Sequence, residues 1–350
     1  GRVRGSAHHP GTFCFFFAVP ASPRVVPMGP SPGMAVAALA AAYLVFTQLR
    51  LRLLEYAIKM GKPVGPMWLP LTVTKVLKIW SWMNGVNVRS ESGEGLECDR
   101  SRRYMMTWHP HGFIVYCPIF LMAEKAIRGE PVGAPWHCTG APVLFKVPFI
   151  GELLQVLSGR PVDKRTLESI MAAGGTVAVQ PGGMTEQKAT RHDQELAIFP
   201  ANLGFIRMAI KYGTPILMLY IFGENQLYKK VDGMEKFTDM LFKATGLALP
   251  LFTAKAGLPT AAFFPRATDI HARWGAPVEV GEPDENPSDE KVEEVFSRYL
   301  KELQRIFYAN AQECLPPDVA ARGLKIVRMD GKPVDELRAE DKPPVMRSRL

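Results

Sequence analysis

The most constraining feature of this chain is the run Pro215 to Phe222 (PILMLYIF), which carries no charge and no polar alternation and lies between Gly213 and Gly223. A strand that is apolar on both sides must be covered on both faces, as in the centre of a parallel-rich sheet. The neighbouring patterns agree. Leu203 to Tyr212 has apolar residues at 203, 206, 209 and 210, a helical stripe. Thr176 to Gln180 and Tyr104 to Trp108 read as two more apolar strands. Phe113 to Ala126, stopped by Gly129, and Arg165 to Ala173, closed by Gly174-Gly175, read as helices. Asp289 to Asn310 is a long amphipathic helix with Ser288 placed to cap it. Strand and helix alternating in this way predict an α/β domain over 104–330, a mostly parallel sheet covered by helices.

The N-terminal third is different in kind. Residues 1–110 carry 13 of the 42 Lys and Arg but only 5 of the 34 Asp and Glu, so the whole net charge of +8 sits there. Residues 1–33, proline-rich and free of acid, read as a leader, either targeting or disordered, with Met28 or Met34 as alternative starts. Met34 to Phe46 (MAVAALAAAYLVF) is uncharged and followed by Arg50 and Arg52, which favours a membrane anchor over a buried helix. Pro66 to Met83 holds three Trp with Lys75 and Lys78 as its charges, and reads as an interfacial helix or a core helix. Residues 34–103 are thus expected to associate with a membrane, with 89–103 a polar linker and 331–350 a charged tail. Basic residues interleaved with aromatics on a folded face are missing, so no nucleic-acid partner is expected. Five cysteines without CxxC spacing argue against a disulfide framework or a zinc ribbon.

In α/β sheets ligands collect at the carboxyl ends of strands. Three polar turns fall there: His109-Pro110-His111-Gly112, Pro181 to Glu186, and Gly223-Glu224-Asn225. Two histidines at i and i+2 project to one side of an extended segment. Pro110 favours the extended state at His109, and Gly112 permits a tight turn. A neutral imidazole is a general base near neutral pH, and a carboxylate is expected to orient it. The turn contains none: five residues after His109 stands Ile114. Glu186 is the first candidate partner and Glu224 the second, while His111, beside the turn glycine, is the favoured base. Gly182 and Gly183 offer backbone N–H groups to an oxyanion or form a plain turn. Asn225 is a direct or a structural hydrogen-bonding group. Arg207 and Lys211, four apart on a helix, and Arg160 with Lys164 suit phosphates or are solvated. The His-x-His spacing also suits a metal, but no third ligand clusters with it, so no metal is expected.

These blocks resemble the type-2 acyl-CoA:diacylglycerol acyltransferase family, which includes monoacylglycerol and wax-alcohol acyltransferases. The similarity rests on HPHG at 109–112, Pro161-Val162-Asp163-Lys164, TVAVQPGGMTE at 176–186, the pattern from Gly204 to Asn225, and Gly275-Ala276-Pro277-Val278. It covers residues 65–330. It implies transfer of a fatty acyl group from acyl-CoA to diacylglycerol, with acyl-CoA a substrate and no cofactor; the alternatives are monoacylglycerol or a long-chain alcohol as acceptor, or a non-catalytic lipid-binding scaffold on membranes. It implies work at the endoplasmic reticulum membrane or lipid droplets, with a plastid-related membrane as the alternative for a chain with this leader, and leaves room for a homo-oligomer. One departure stands out: Arg160 occupies a place where the family carries apolar residues.

Overall fold

The computed structural model describes residues 32–59, 68–90, 99, 101–128, 136–147, 149–246, 251–257 and 264–334. The leader up to residue 31, the linker residues 91–98, Gly129 and the tail from 335 lie outside them. The chain forms two compact units, 1–50 and 51–350. In order the elements are α1 (Pro32–Lys59), α2 (Trp68–Asn84), β1 (Val86–Ser90), β2 (Met105–His109), α3 (Tyr116–Arg128), β3 (Trp136–Gly140) and α4 (Ile150–Val156). Then come β4 (Arg160–Pro161), α5 (Lys164–Ala172), β5 (Thr176–Val179), α6 (Gly183–Ala189), β6 (Glu195–Phe199), α7 (Gly204–Lys211) and β7 (Ile216–Phe222). The chain continues through β8 (Lys229–Lys230), α8 (Glu235–Thr245), β9 (Phe252–Thr253), β10 (Thr268–Trp274), α9 (Asp289–Cys314), α10 (Pro317–Arg322) and β11 (Leu324–Arg328).

Seven strands form one sheet in the order β1-β10-β7-β2-β5-β3-β4. All its pairings are parallel except β10 with β7. The expected parallel-rich α/β sheet is therefore present, with an edge pair reversed against the rest. The linker expected over 89–103 starts later than the composition suggested, because Arg89 and Ser90 finish β1. An edge strand tolerates such charge, and Arg89 uses it to pair with Asp269 on β10 at 3.1 Å.

The central strand β7 is buried at every position. Its side chains alternate between two cores, as a period of two requires. Ile216, Met218, Tyr220 and Phe222 pack with Ile206 and Ile210 of α7 and with Phe296, Tyr299 and Phe307 of α9. Leu217, Leu219 and Ile221 pack on the other face with Cys117 and Phe120 of α3. Helix α9 begins where expected, the Ser288 hydroxyl accepting the Lys291 N–H at 3.3 Å. It runs one turn past Asn310.

Helix α2 packs on the core along one face and exposes apolar residues on another. Val73, Leu77 and Trp80 pack on the α3 core. Trp68, Val76, Ile79, Trp82 and Met83 are exposed, Trp82 to 81%, beside exposed Lys75 and Lys78. In α1 the apolar Met34, Leu39 and Phe46 are exposed as well. Among the described residues no helix is long and apolar enough to cross a membrane.

Candidate active site

The topology puts three strand ends side by side. Strand β2 lies between β5 and β7, parallel to both. The turns that follow these three strands therefore meet at one edge of the sheet, the place where α/β sheets bind ligands.

The β2 turn is His109 to Gly112, entered through a cis His109–Pro110 bond. His109 is sealed from solvent. Its ring packs on Phe199 and Tyr299, and its Nε2 lies 2.8 Å from the Tyr299 hydroxyl. The Tyr299 hydroxyl also lies 2.9 Å from Thr107 Oγ1. The two hydroxyls can rotate to serve either tautomer of the ring, and Nδ1 has no partner. Burial pulls this imidazole down to about 3, so it is neutral at physiological pH.

His111 is half-buried. Its Nδ1 lies 3.1 Å from the Gly112 carbonyl. A carbonyl only accepts, so Nδ1 carries the proton and the lone pair sits on Nε2. Burial lowers this ring to about 4, against the opposing pull of that carbonyl. Gly112 has φ of +72°, and a Cβ there would stand 2.8 Å from Glu224 Cγ. Both the turn and the packing require glycine.

Two buried carboxylates clamp the turn. Glu186, at the start of α6, accepts the His111 backbone N–H at 2.7 Å and the Gln180 amide at 2.8 Å on Oε1, and the Ile198 N–H at 2.8 Å on Oε2. Glu224, just past β7, accepts the first backbone N–H groups of α3, from Tyr116 and Cys117. Burial pushes Glu186 up to about 7 and Glu224 up to about 8, although their hydrogen bonds act the other way. Glu186 thus reaches the turn as expected from the sequence, but it holds the backbone of His111 and not its ring.

The other candidates divide. Gly182 is set by space: a Cβ would collide with Glu186 Oε2. Gly183 gives its N–H to the backbone and side-chain oxygens of Gln180, so that donor is engaged in the turn and not offered to an oxyanion. Asn225 donates to Glu195 at 3.2 Å, which also accepts from Tyr220 at 2.9 Å. That is the structural alternative. The four cations expected to meet phosphate are not brought together. Arg207 pairs with Asp289 and Lys211 with Glu168 at 2.8 Å, so the helix-face pair is occupied by carboxylates. Lys164 is exposed at the start of α5, whereas Arg160 is buried in β4. Among the described residues no three of His, Cys, Asp and Glu are grouped to hold a metal.

Sequence reasoning missed Tyr299, Thr107, Gln180 and Glu195. Tyr299 carried one signal: a phenol within the buried stripe of α9 needs a hydrogen-bond partner.

The sequence profile of the diacylglycerol acyltransferase family matches residues 49–319, a span that includes every residue of this site. The chain belongs to that family. Among its relatives, bovine 2-acylglycerol O-acyltransferase 1 is 28% identical over 222 residues, 60% of this chain and 66% of that protein. Diacylglycerol O-acyltransferase 2B of Umbelopsis ramanniana is 27% identical over 60% of this chain and 64% of its own length. Diacylglycerol O-acyltransferase 2 of Dictyostelium discoideum is 27% identical over 65% of this chain and 71% of its own. The match thus spans a little under two thirds of the bovine and Umbelopsis relatives. A solved acyltransferase, PlsC from Thermotoga maritima, aligns at a TM-score of 0.38 and 18% identity, over 76% of this chain and 90% of that one.

Proposed function

We propose that this family member transfers the acyl group of acyl-CoA to the free hydroxyl of diacylglycerol, at a membrane surface. The observation that carries the reading is His111. Its Nδ1–H is held by the Gly112 carbonyl, its backbone by Glu186, and its neutral Nε2 is the more accessible basic nitrogen of the turn. In the reaction Nε2 takes the proton of the acceptor hydroxyl as the oxygen attacks the thioester carbonyl carbon. The tetrahedral intermediate collapses, the C–S bond breaks, and the imidazolium returns the proton to the sulfur, releasing coenzyme A as a thiol. No cofactor takes part. His109, tied to Tyr299, holds the end of β2 in place.

The names of the relatives support both diacylglycerol and 2-acylglycerol as acceptors, and the acceptor is decided by assay. The membrane part of the reading is supported by the exposed apolar faces of α1 and α2, with Lys75 and Lys78 placed for headgroups. Endoplasmic reticulum or lipid droplets are the proposed membranes.

The test feeds labelled oleoyl-CoA to membranes from cells lacking neutral-lipid synthesis, with diacylglycerol, monoacylglycerol or fatty alcohol in parallel. Wild type is expected to form triacylglycerol and His111→Ala to form none. Product from monoacylglycerol or alcohol alone changes the acceptor and keeps the chemistry. No product from folded, membrane-bound wild type overturns the reading.

A further inference from the structure

Arg160 is the largest fully buried side chain of the described residues, 1% exposed. Buried arginine is rare unless it is paired, because an isolated charge loses its hydration without return. Among the described residues Arg160 forms no ion pair, and no acid influences its charge, which burial alone disfavours. Its hydrogen bond runs from Nη1 to the carbonyl of the preceding Gly159 at 2.9 Å. Nε is sealed and has no partner. The Nε–Nη2 side of the guanidinium is the fork that grips an oxyanion with two parallel hydrogen bonds. Among the described residues no acceptor meets that fork.

Its position in the sheet is informative. Arg160 lies on β4, the terminal strand, opposite Thr139. Cys138 pairs with Ala178 and Thr107 with Val179. Arg160, Thr139, Val179 and Thr107 therefore form one row across four strands. Trp136 and Cys138 face the α3 core, so Thr139 and Arg160 face the side on which His109 meets Tyr299. Three strand spacings separate β4 from β2, about 14 Å. The phosphates of coenzyme A sit at the far end of a pantetheine arm, and such a spacing lets one molecule reach both places.

We propose that Arg160 is a phosphate-binding residue, whose unpartnered Nε–Nη2 fork receives a phosphate of the acyl-CoA substrate. The site deepens the acyltransferase reading and rests on it for the identity of that substrate. A phospholipid headgroup presents the same chemistry, and the test separates the two.

Thermal unfolding of the purified full chain is followed with coenzyme A, pyrophosphate, or vesicles of phosphatidic acid in phosphatidylcholine. The proteins are wild type, Arg160→Met and Arg160→Lys. Coenzyme A is expected to raise the wild-type Tm saturably. Arg160→Met, freed of an unpaired charge, should unfold no lower than wild type without ligand and show no shift with coenzyme A. Arg160→Lys, a point charge without the fork, should need about tenfold to hundredfold more coenzyme A, and its KM for acyl-CoA should rise in step. Loss of the shift for both coenzyme A and pyrophosphate in the variants supports the substrate as the source. A shift with phosphatidic acid vesicles alone overturns the substrate and leaves the headgroup. An Arg160→Met protein that unfolds well below wild type and keeps the coenzyme A midpoint overturns the site. Should Arg160→Met fail to fold, the site is overturned equally by an Arg160→Lys protein that binds coenzyme A as wild type does. These shifts need no catalysis, so a chain that binds coenzyme A through Arg160 yet transfers nothing would sink the activity and not the site.

Discussion

Replacing Gly112 by alanine tests whether the His-Pro-His-Gly turn is held by the carboxylate beside it. Two effects add. Gly112 has φ of +72°, where an L side chain costs about 1–2 kcal/mol. The new Cβ would also stand 2.8 Å from Glu224 Cγ. Glu224 cannot retreat freely, since its oxygens accept the Tyr116 and Cys117 amides that open α3. Breaking those bonds leaves buried donors unsatisfied, about 1–3 kcal/mol. The substitution should therefore destabilise by about 2–5 kcal/mol, read by urea unfolding in detergent. The discriminating experiment is the double-mutant cycle with Glu224→Ala. Without the carboxylate the clash disappears and only the backbone part remains, so Gly112→Ala should then cost about 1–2 kcal/mol. The coupling of about 1–3 kcal/mol lies well above the scatter of additive pairs. An equal cost in both backgrounds would show that Glu224 does not clamp this turn.

Tyr299→Phe removes the hydroxyl that links His109 Nε2 to Thr107 Oγ1. It should lower stability by about 1–3 kcal/mol and remove the hydrogen bond at Nε2, seen as a change in the imidazole nitrogen shifts. With the His111 ring held near 4, acyl transfer should stay level from about pH 8 to about pH 5.5 and show no half-point at the ordinary 6.5. Glu186 rises from 4.5 to about 7 on folding, so the folded chain binds the extra proton between those values. Its contribution is therefore lost as pH rises through that window, and wild type should lose up to about 3 kcal/mol relative to Glu186→Gln between about pH 4.5 and 8. On α2, Ile79→Glu with Trp82→Glu should reduce partition into anionic vesicles by at least about tenfold without lowering the Tm, since both side chains are exposed.

How far the sequence speaks can be judged residue by residue. The run at 216–222 announced a central strand because only burial on both faces explains it. The three strand-end turns were legible for the same reason, since a strand that stops at a glycine or proline must deliver its next residues to the sheet edge. Strand β10 (TDIHARW) was not legible. Its mixed polarity is that of a near-edge strand, and its reversed direction follows from pairings made across the chain. Glu195 carried no signal in the sequence, yet it is sealed and shared by Tyr220 and Asn225. Nothing local distinguishes a carboxylate that stays in solvent from one that will be buried with donors waiting.

The carboxylates also explain how the histidine turn is held without an acid of its own. A turn with an aspartate five residues on can orient its histidine locally. Here that position is Ile114, so the turn must be fixed from outside. The strand order provides the means. Because β5 and β7 flank β2, the residues that follow each of them arrive on either side of the turn. Glu186 comes from one side to the His111 amide, and Glu224 from the other to the start of α3 and the face of Gly112. Neither carboxylate touches an imidazole. The rings are set instead by neutral partners, the Gly112 carbonyl for His111 and the Tyr299 hydroxyl for His109. In the proposed reaction a carboxylate beside the base would stabilise its imidazolium, but it would also draw water towards a thioester that has to be kept from hydrolysis. Clamping the backbone with acids and orienting the rings with neutral groups separates the two tasks. Gln180 can be asked which task dominates: its amide donates to Glu186 at 2.8 Å and its oxygen receives the Gly183 N–H. Gln180→Glu would bring a second carboxylate against Glu186, so the pair should hold one proton more tightly than Glu186 does alone. Acyl transfer should then fall as pH rises above the neutral range and the shared proton is lost, whereas a site indifferent to that clamp would keep the level profile of the wild type.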